Sequence, residues 1–140
     1  MRDLQQGKVY KWEMKAIAPH DYTKVDFNAI EAIVKYVWDN EGLKYPPIVK
    51  LMAKQKLAGG TGNRNIVQFP ESTYTWIILH ELSHAMTCNV NGESNQHGAL
   101  FLGIYMQLAS RYLKIPMNIL TESADKDGLR FNLEAKPAFV

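Results

Sequence analysis

His80-Glu81-Leu82-Ser83-His84 is the stretch that decides how this chain folds, because the spacing HExxH builds a metal site when it lies on a helix. Residues four apart share one helical face, so the imidazoles of His80 and His84 can converge on one ion. Glu81 is turned about 100° around the helix axis, so its carboxylate can reach a water on that ion instead of the ion itself. The spacing therefore predicts a zinc ion (Zn2+) with a base beside it.

The motif is specific, and its surroundings are apolar. Four His and eight Glu in 140 residues predict about 0.006 chance occurrences of HExxH, so accident explains it poorly. Residues 74–79 before the motif and Ala85 and Met86 after it are largely apolar, which favours a buried helix with one functional face. The alternative is a pair of ordinary helical histidines, but two imidazoles and a carboxylate are costly to bury without a partner such as a metal ion.

A catalytic zinc site usually takes three protein ligands, so a third is expected downstream. His97 is the leading candidate, because the polar stretch 89–96 can turn the chain back and an apolar run follows it. The alternative is that His97 begins a helix and faces solvent. Cys88 would share the face of His84, but ligands stacked along one straight helix cannot all reach one ion, and a lone Cys is usually a small buried hydrophobe.

The string from residue 80 to 101 resembles the SprT-like zinc metallopeptidases, in which HExxH is followed by a His-Gly-x-x-Phe segment that opens the next helix. His97, Gly98 and Phe101 match that segment. The resemblance implies a zincin-like scaffold in which the three histidines are the zinc ligands and Glu81 is the general base.

Nearly the whole chain is also similar to a family of short, uncharacterised metallohydrolases of bacteria and their phages. That family begins with Arg-Asp-x-Gln and Val-Tyr-x-x-Glu patterns, which are matched at residues 2–5 and 9–13. A Gly-rich turn and a short strand ending in Pro precede its HExxH helix, as Gly59-Gly60 and residues 66–70 do here. Neither resemblance implies a substrate.

Another zinc-peptidase arrangement takes a Glu from a later helix, with an Asp one turn on. Glu122 and Asp125 have that spacing. If Glu122 bound the zinc ion in addition to His97, no coordination position would remain open for water. We therefore expect Glu122 or Asp125 to contact a ligand and not the ion. Either carboxylate would then orient an imidazole by accepting its other N–H.

The order of elements predicts an α+β domain with a small mixed or antiparallel sheet packed on the HExxH helix and on a second, ligand-bearing helix. Residues 8–14 fit either a strand or a helix, and Thr23 and Asp26 resemble a capping arrangement for a helix that ends near Gly42. The further predicted elements are strands at 48–52 and 64–69 around a Gly turn at 59–62, helices at 72–88 and 98–113, a helix from Pro116 to before Gly128, and a strand at 129–133.

The second of these strands has an expected role in binding substrate. In zinc peptidases of the kind that this chain resembles, the edge strand before the HExxH helix pairs with extended substrate through its unpaired backbone groups. The residues in that place are Arg64, Asn65, Ile66, Val67, Gln68 and Phe69. The alternative is a sheet edge that only covers the helix.

Composition agrees with one domain over residues 1–140, since 46% of the chain is hydrophobic and 21% is charged. A net charge of +2 gives no strong nucleic-acid signal, and the cations Lys50, Lys54, Lys56 and Arg64 are interpreted as a solvated edge. We expect no membrane association, because the chain starts with polar residues and has no long apolar run. The single Cys is compatible with a reducing compartment, so we expect a cytoplasmic location. If a phage encodes the protein, the location would be the host cytoplasm or the virion.

The predicted function is therefore a zinc-dependent hydrolase, a peptidase acting on a peptide or protein. A further donor would stabilise the developing oxyanion, and Tyr105, Arg111 and Tyr112 are candidates, although such helical residues usually serve packing or the surface. The alternative function is a zinc-stabilised structural or adaptor protein, associated for example with a phage particle, that performs no turnover. Intact Glu81 argues against simple decay of a catalytic site.

Overall fold

The structure, a computed structural model, describes residues 5–52, 61–88 and 96–138. These ranges form one small domain of mixed α and β structure. Its α-helices are α1 (Gln6–Ala16), α2 (Phe27–Asn40), α3 (Thr75–Thr87), α4 (Ala99–Leu113) and α5 (Met117–Lys126). Its strands are β1 (Lys24–Asp26), β2 (Ile48–Leu51), β3 (Thr61–Gly62), β4 (Ile66–Phe69) and β5 (Ser72–Tyr74). A single turn of 3-10 helix at Ala18–His20 follows α1.

The ambiguous residues 8–14 belong to helix α1. Its buried residues are Val9, Trp12, Glu13 and Ala16, which follow the i, i+3, i+4, i+7 pattern of one helical face. A strand would place the alternating aromatic residues of this stretch on one face, but Tyr10 is 45% exposed while Trp12 is fully buried. The burial of Glu13 on this face is unusual for a carboxylate, and it matters for the site described below.

Helix α2 buries one apolar face, which is formed by Ile30, Val34, Val37 and Trp38. Its N-cap residue is Asp26, but no side chain caps the helix, so the predicted capping arrangement is wrong in that detail. Gly42 follows the helix with a φ of +78°, a conformation that glycine adopts at little cost.

The larger sheet has the order β2-β4-β3 and is mixed, because β2 runs parallel to β4 and β3 runs antiparallel to it. The turn before β4 is closed by Asn63, whose side chain accepts hydrogen bonds from the amides of Asn65 and Ile66. Since β4 is therefore paired on both sides, the prediction that residues 64–69 form an edge strand is wrong. The smaller sheet pairs β1 antiparallel to β5.

One predicted helix starts later in the structure, and one predicted strand is absent from it. Helix α3 begins at Thr75 instead of 72, because Ser72–Tyr74 pairs with β1. The predicted strand at 129–133 is absent, and this segment packs against α4: the Asn132 amide donates to the Ala99 carbonyl, and a Cβ added at Gly103 would lie 1.7 Å from the Asn132 oxygen. Close approach to a helix has replaced sheet pairing.

Helices α3 and α4 pack against each other and lie at the centre of the hydrophobic core. Within the described ranges, no helix combines the length and the apolar character needed to cross a membrane.

Candidate metal centre

The structure brings three imidazoles together at the contact of α3 and α4. His80 and His84 stand one turn apart on α3, and His97 lies in the turn that leads into α4. The Nε2 atom of His97 is 3.2 Å from Nε2 of His84 and 3.3 Å from Nε2 of His80. His80 and His97 are each 6% exposed, whereas His84 is less buried, so the cluster is closest to solvent at His84.

These distances fit one tetrahedral ion. Zinc–nitrogen bonds of 2.0–2.1 Å place two ligand nitrogens about 3.3 Å apart at the tetrahedral angle. The Nε2 atom of His97 lies within hydrogen-bonding distance of Nε2 of both His84 and His80. A single proton can complete only one of these two nitrogen–nitrogen contacts. One cation can accept a lone pair from all three rings, so the three histidines could hold a metal ion.

At His84, burial favours the neutral imidazole that a metal requires. Burial, together with the charges of His80 and His97, lowers the pKa of His84 from 6.5 to about 2. Burial alone would lower the pKa of His80 too, but the hydrogen bond and charge of Glu13 and the charge of Glu81 outweigh it, so the pKa of His80 is raised. The carboxylates therefore draw positive charge toward the His80 end of the cluster.

Glu81 lies beside the cluster and is 6% exposed. Burial raises the pKa of its carboxyl from 4.5 to about 7, the nearby Glu13 adds to this rise, and His80 opposes it. A carboxyl with a pKa near neutral can both take up and release a proton at physiological pH, which is what a general base requires.

Glu13 of α1 is the site residue that sequence reasoning missed. Its Oε2 atom accepts a hydrogen bond of 2.6 Å from Nδ1 of His80 and another of 2.6 Å from the Tyr105 hydroxyl. The first bond leaves Nε2 of His80 free to face the other imidazoles. Burial, followed by the charge of Glu13, raises the pKa of Tyr105 well above 10, so its hydroxyl remains a donor. The available signal was Glu13 itself, a carboxylate on the apolar face of α1.

Glu122 and Asp125 do not occupy the predicted position behind the ligands. Both are exposed on α5. That helix packs on α1 elsewhere, through a hydrogen bond from Nε1 of Trp12 to the Ser123 hydroxyl. The carboxylate that binds an imidazole of the cluster is that of Glu13, so the predicted location at Glu122 or Asp125 is wrong.

The three candidate oxyanion donors on α4 have other partners. Tyr105 is fully buried and donates to Glu13. Arg111 and Tyr112 both donate to Glu41, two turns further along the helix. Cys88 is buried at the end of α3 and is not among the three residues that could hold a metal.

Phe101 packs against all three imidazoles. Its ring stacks on His84 at a centroid distance of 4.3 Å and lies 5.1 Å from His80 and 5.0 Å from His97. The ring of the half-exposed Tyr10 approaches His97 from α1 at 5.2 Å. These aromatic rings restrict the imidazole orientations by packing.

Strand β3 passes directly over the HExxH helix. A Cβ added at Gly62 would lie 2.6 Å from the Glu81 carbonyl oxygen, so only glycine fits this approach. Within the described ranges β3 pairs on one side only, with β4, which makes β3 the sheet edge nearest Glu81. The predicted Gly turn at 59–62 thus ends in this strand, while Gly59 and Gly60 lie outside the described residues.

Of the four grouped cations, the structure describes only Lys50 and Arg64. Arg64 donates to the Tyr45 carbonyl and lies over the ring of Trp38 at 5.4 Å. Lys50 is on β2, and Lys54 and Lys56 lie outside the described residues.

Comparison with known proteins adds no assignment: no family model matches the chain, and no curated protein or solved structure matches it either.

Proposed function

We propose that this protein is a zinc-dependent hydrolase of zincin-like type, and that its substrates are peptides or proteins. The observation that carries the proposal is the convergence of three Nε2 atoms at zinc-ligand spacing beside the buried carboxylate of Glu81. His80, His84 and His97 would hold the ion, leaving a fourth position for water or substrate.

A bound zinc ion would supply a Lewis acid that makes hydroxide available near neutral pH. Glu81 accepts the proton of the attacking water and delivers it to the leaving amine nitrogen. The raised pKa of Glu81, near 7, allows both transfers. Glu13 and Tyr105 hold His80 in one tautomer and orientation while the neighbouring Glu81 takes up and releases the proton.

Extended substrate would bind along β3. Among the described residues, the side of β3 opposite β4 has no strand partner and is the sheet edge nearest Glu81. An added peptide strand would satisfy both its own backbone groups and those of β3. This assignment replaces residues 64–69, whose strand β4 has no open side.

The SprT-like relationship is part of the same proposal. It is supported by His97, Gly98 and Phe101, since the His enters the cluster, the Gly is the N-cap residue of α4 and the Phe packs against all three imidazoles.

Metal analysis and one substitution test the proposal. Purified, metal-replete protein should contain close to one zinc per chain. Glu81→Gln should retain zinc and the fold while peptide hydrolysis falls by at least about 100-fold, the low end for a lost general base. Glu31→Gln, an exposed position on α2, provides the control and should remain fully active. A protein without zinc, or a Glu81→Gln variant as active as the wild type, would contradict the proposal.

The second candidate function is a zinc-stabilised structural or adaptor protein. The burial of the site favours it, since Glu81, His80 and His97 are each only 6% exposed and substrate would need access near His84. That function predicts bound zinc, a lower melting temperature after chelation, and no cleavage of a broad peptide library by either the wild type or Glu81→Gln.

A further inference from the structure

The side chain of Gln5 connects three distant parts of the chain. Its Nε2 atom donates to the carbonyl of His97 at 2.9 Å and to the carbonyl of Arg130 at 3.2 Å. Its Oε1 atom accepts from the Arg130 amide at 2.6 Å. The amide group thus pairs with both backbone groups of Arg130 and uses its remaining N–H on the residue that carries the third imidazole.

Only a primary amide of this length can make the set. It needs two N–H donors and one acceptor on a single planar group, which among side chains only Asn and Gln provide. Asn would place the group one methylene closer to the backbone of α1. Glu would keep the acceptor for the Arg130 amide but would face the carbonyls of His97 and Arg130 with a carboxylate oxygen that donates nothing.

The contact falls on the turn that precedes helix α4. His97 lies between Gln96, which has a φ of +55°, and Gly98, the extended N-cap residue of α4. His80 and His84, in contrast, are held by the backbone of α3. Helix α3 therefore places two of the imidazoles, whereas the third is carried by the turn whose carbonyl Gln5 binds.

We propose that Gln5 is a positioning residue of the metal centre, acting on His97 through its backbone carbonyl. The inference rests on the metal-binding part of the proposed function and does not require catalysis. It gives α1 and the residue before it a common role, because Glu13 orients His80 from the same segment. Sequence motifs at residues 2–5 and 9–13 that had no assigned role would then each end in a residue that holds a ligand.

The test compares Gln5→Glu with Gln107→Glu. Gln107 is a matched control, because its Nε2 atom also donates to two carbonyls, those of Gly103 and Ala135, and also fastens the C-terminal segment to α4. Zinc dissociation constants would be measured by competition with a chromophoric chelator. We expect Gln5→Glu to weaken zinc binding about tenfold, the low end for residues that orient ligands, and Gln107→Glu to change it by less than about twofold. Equal effects of the two substitutions would overturn the positioning role.

Amide hydrogen exchange in metal-free protein supplies a second readout that is independent of zinc. The Leu102 amide donates to the Gly98 carbonyl in the first turn of α4, directly after His97. Its exchange should accelerate in Gln5→Glu and stay unchanged in Gln107→Glu. Unchanged exchange in Gln5→Glu would refute the inference, whereas wild-type protein that fails to bind zinc while Gln5→Glu still accelerates exchange would refute the metal centre and leave the hold on His97 standing.

Discussion

Two tyrosines of helix α4 each donate a hydrogen bond to a glutamate, and the two glutamates differ in how deeply they are buried. Tyr105 donates to Glu13 at 2.6 Å, and Tyr112, two turns later, donates to Glu41 at 2.6 Å. Glu13 also accepts from His80, and Glu41 also accepts from Arg111. The Glu13 side chain is 3% exposed, whereas the partners of the second network, Glu41 and Arg111, are 16% and 47% exposed.

The comparison shows that the same donors and acceptors serve different purposes according to burial. Water competes for the Glu41 network, so its ion pair is expected to contribute about 0–1 kcal/mol. The Glu13 network lies where polar groups are costly to leave unpaired, so it specifies one arrangement of side chains. Burial raises the pKa of Tyr112 to about 12 with help from Glu41, and burial followed by the charge of Glu13 also raises the pKa of the more deeply buried Tyr105. Only the buried network reaches a candidate metal ligand.

The largest effect is expected when the cluster that the buried network supports loses a member. His97→Ala should weaken zinc binding by more than about 100-fold, beyond the range for residues that only orient ligands. His20→Ala is the control, because His20 is exposed and lies outside the cluster. Chelator competition measures both, and near-equal zinc affinities would refute His97 as a ligand.

The next effect separates the two carboxylates. Glu13→Gln should weaken zinc binding by about 10 to 100-fold, because the amide carries no charge to orient and polarise His80. Glu41→Gln should leave the zinc affinity unchanged. Titrations of the two variants under identical conditions decide this, and a comparable loss in both would mean that burial does not distinguish the networks.

Removing each tyrosine hydroxyl gives a smaller, structural difference. Tyr105→Phe leaves buried Glu13 without one of its donors and should lower the free energy of unfolding of metal-free protein by about 1–3 kcal/mol. Tyr112→Phe should lower it by less than about 1 kcal/mol, since water can replace the hydroxyl at the partly exposed Glu41. Urea unfolding measures both values, and a larger loss for Tyr112→Phe would reverse the comparison.

The smallest effect belongs to the exposed ion pair. A double-mutant cycle with Arg111→Ala and Glu41→Ala should give a coupling of about 0–1 kcal/mol that decreases between 0.05 and about 0.5 M salt, because counterions screen exposed charges. A coupling that is both large and insensitive to salt would show that this network behaves as a buried one.

Local patterns were sufficient for much of the site. The spacing of His80, Glu81 and His84 specifies their relative placement once they are helical, because the helix repeat fixes which side chains share a face. Helices α4 and α5 lie close to their predicted limits of 98–113 and Pro116 to before Gly128, since apolar periodicity and helix-breaking residues mark them. His97 follows from the same reasoning, as a residue that immediately precedes a long apolar run.

Only the tertiary structure decided which distant segments meet at the site. Glu13 is 67 residues from His80, and Gln5 is 92 residues from His97. Sequence periodicity indicates which face of α1 is buried, but it does not tell whether that face meets α3, α4 or α5, and so Glu122 and Asp125 were equally reasonable from the sequence. The place of β4 in the sheet was also decided by tertiary structure. Its side chains alternate between buried and less buried positions, as they would in either an edge strand or a central strand. It is a central strand because β3 folds back at Asn63 and pairs with it. Backbone geometry fixes relations within a helix or strand, whereas packing between elements depends on the shape and burial of the whole core.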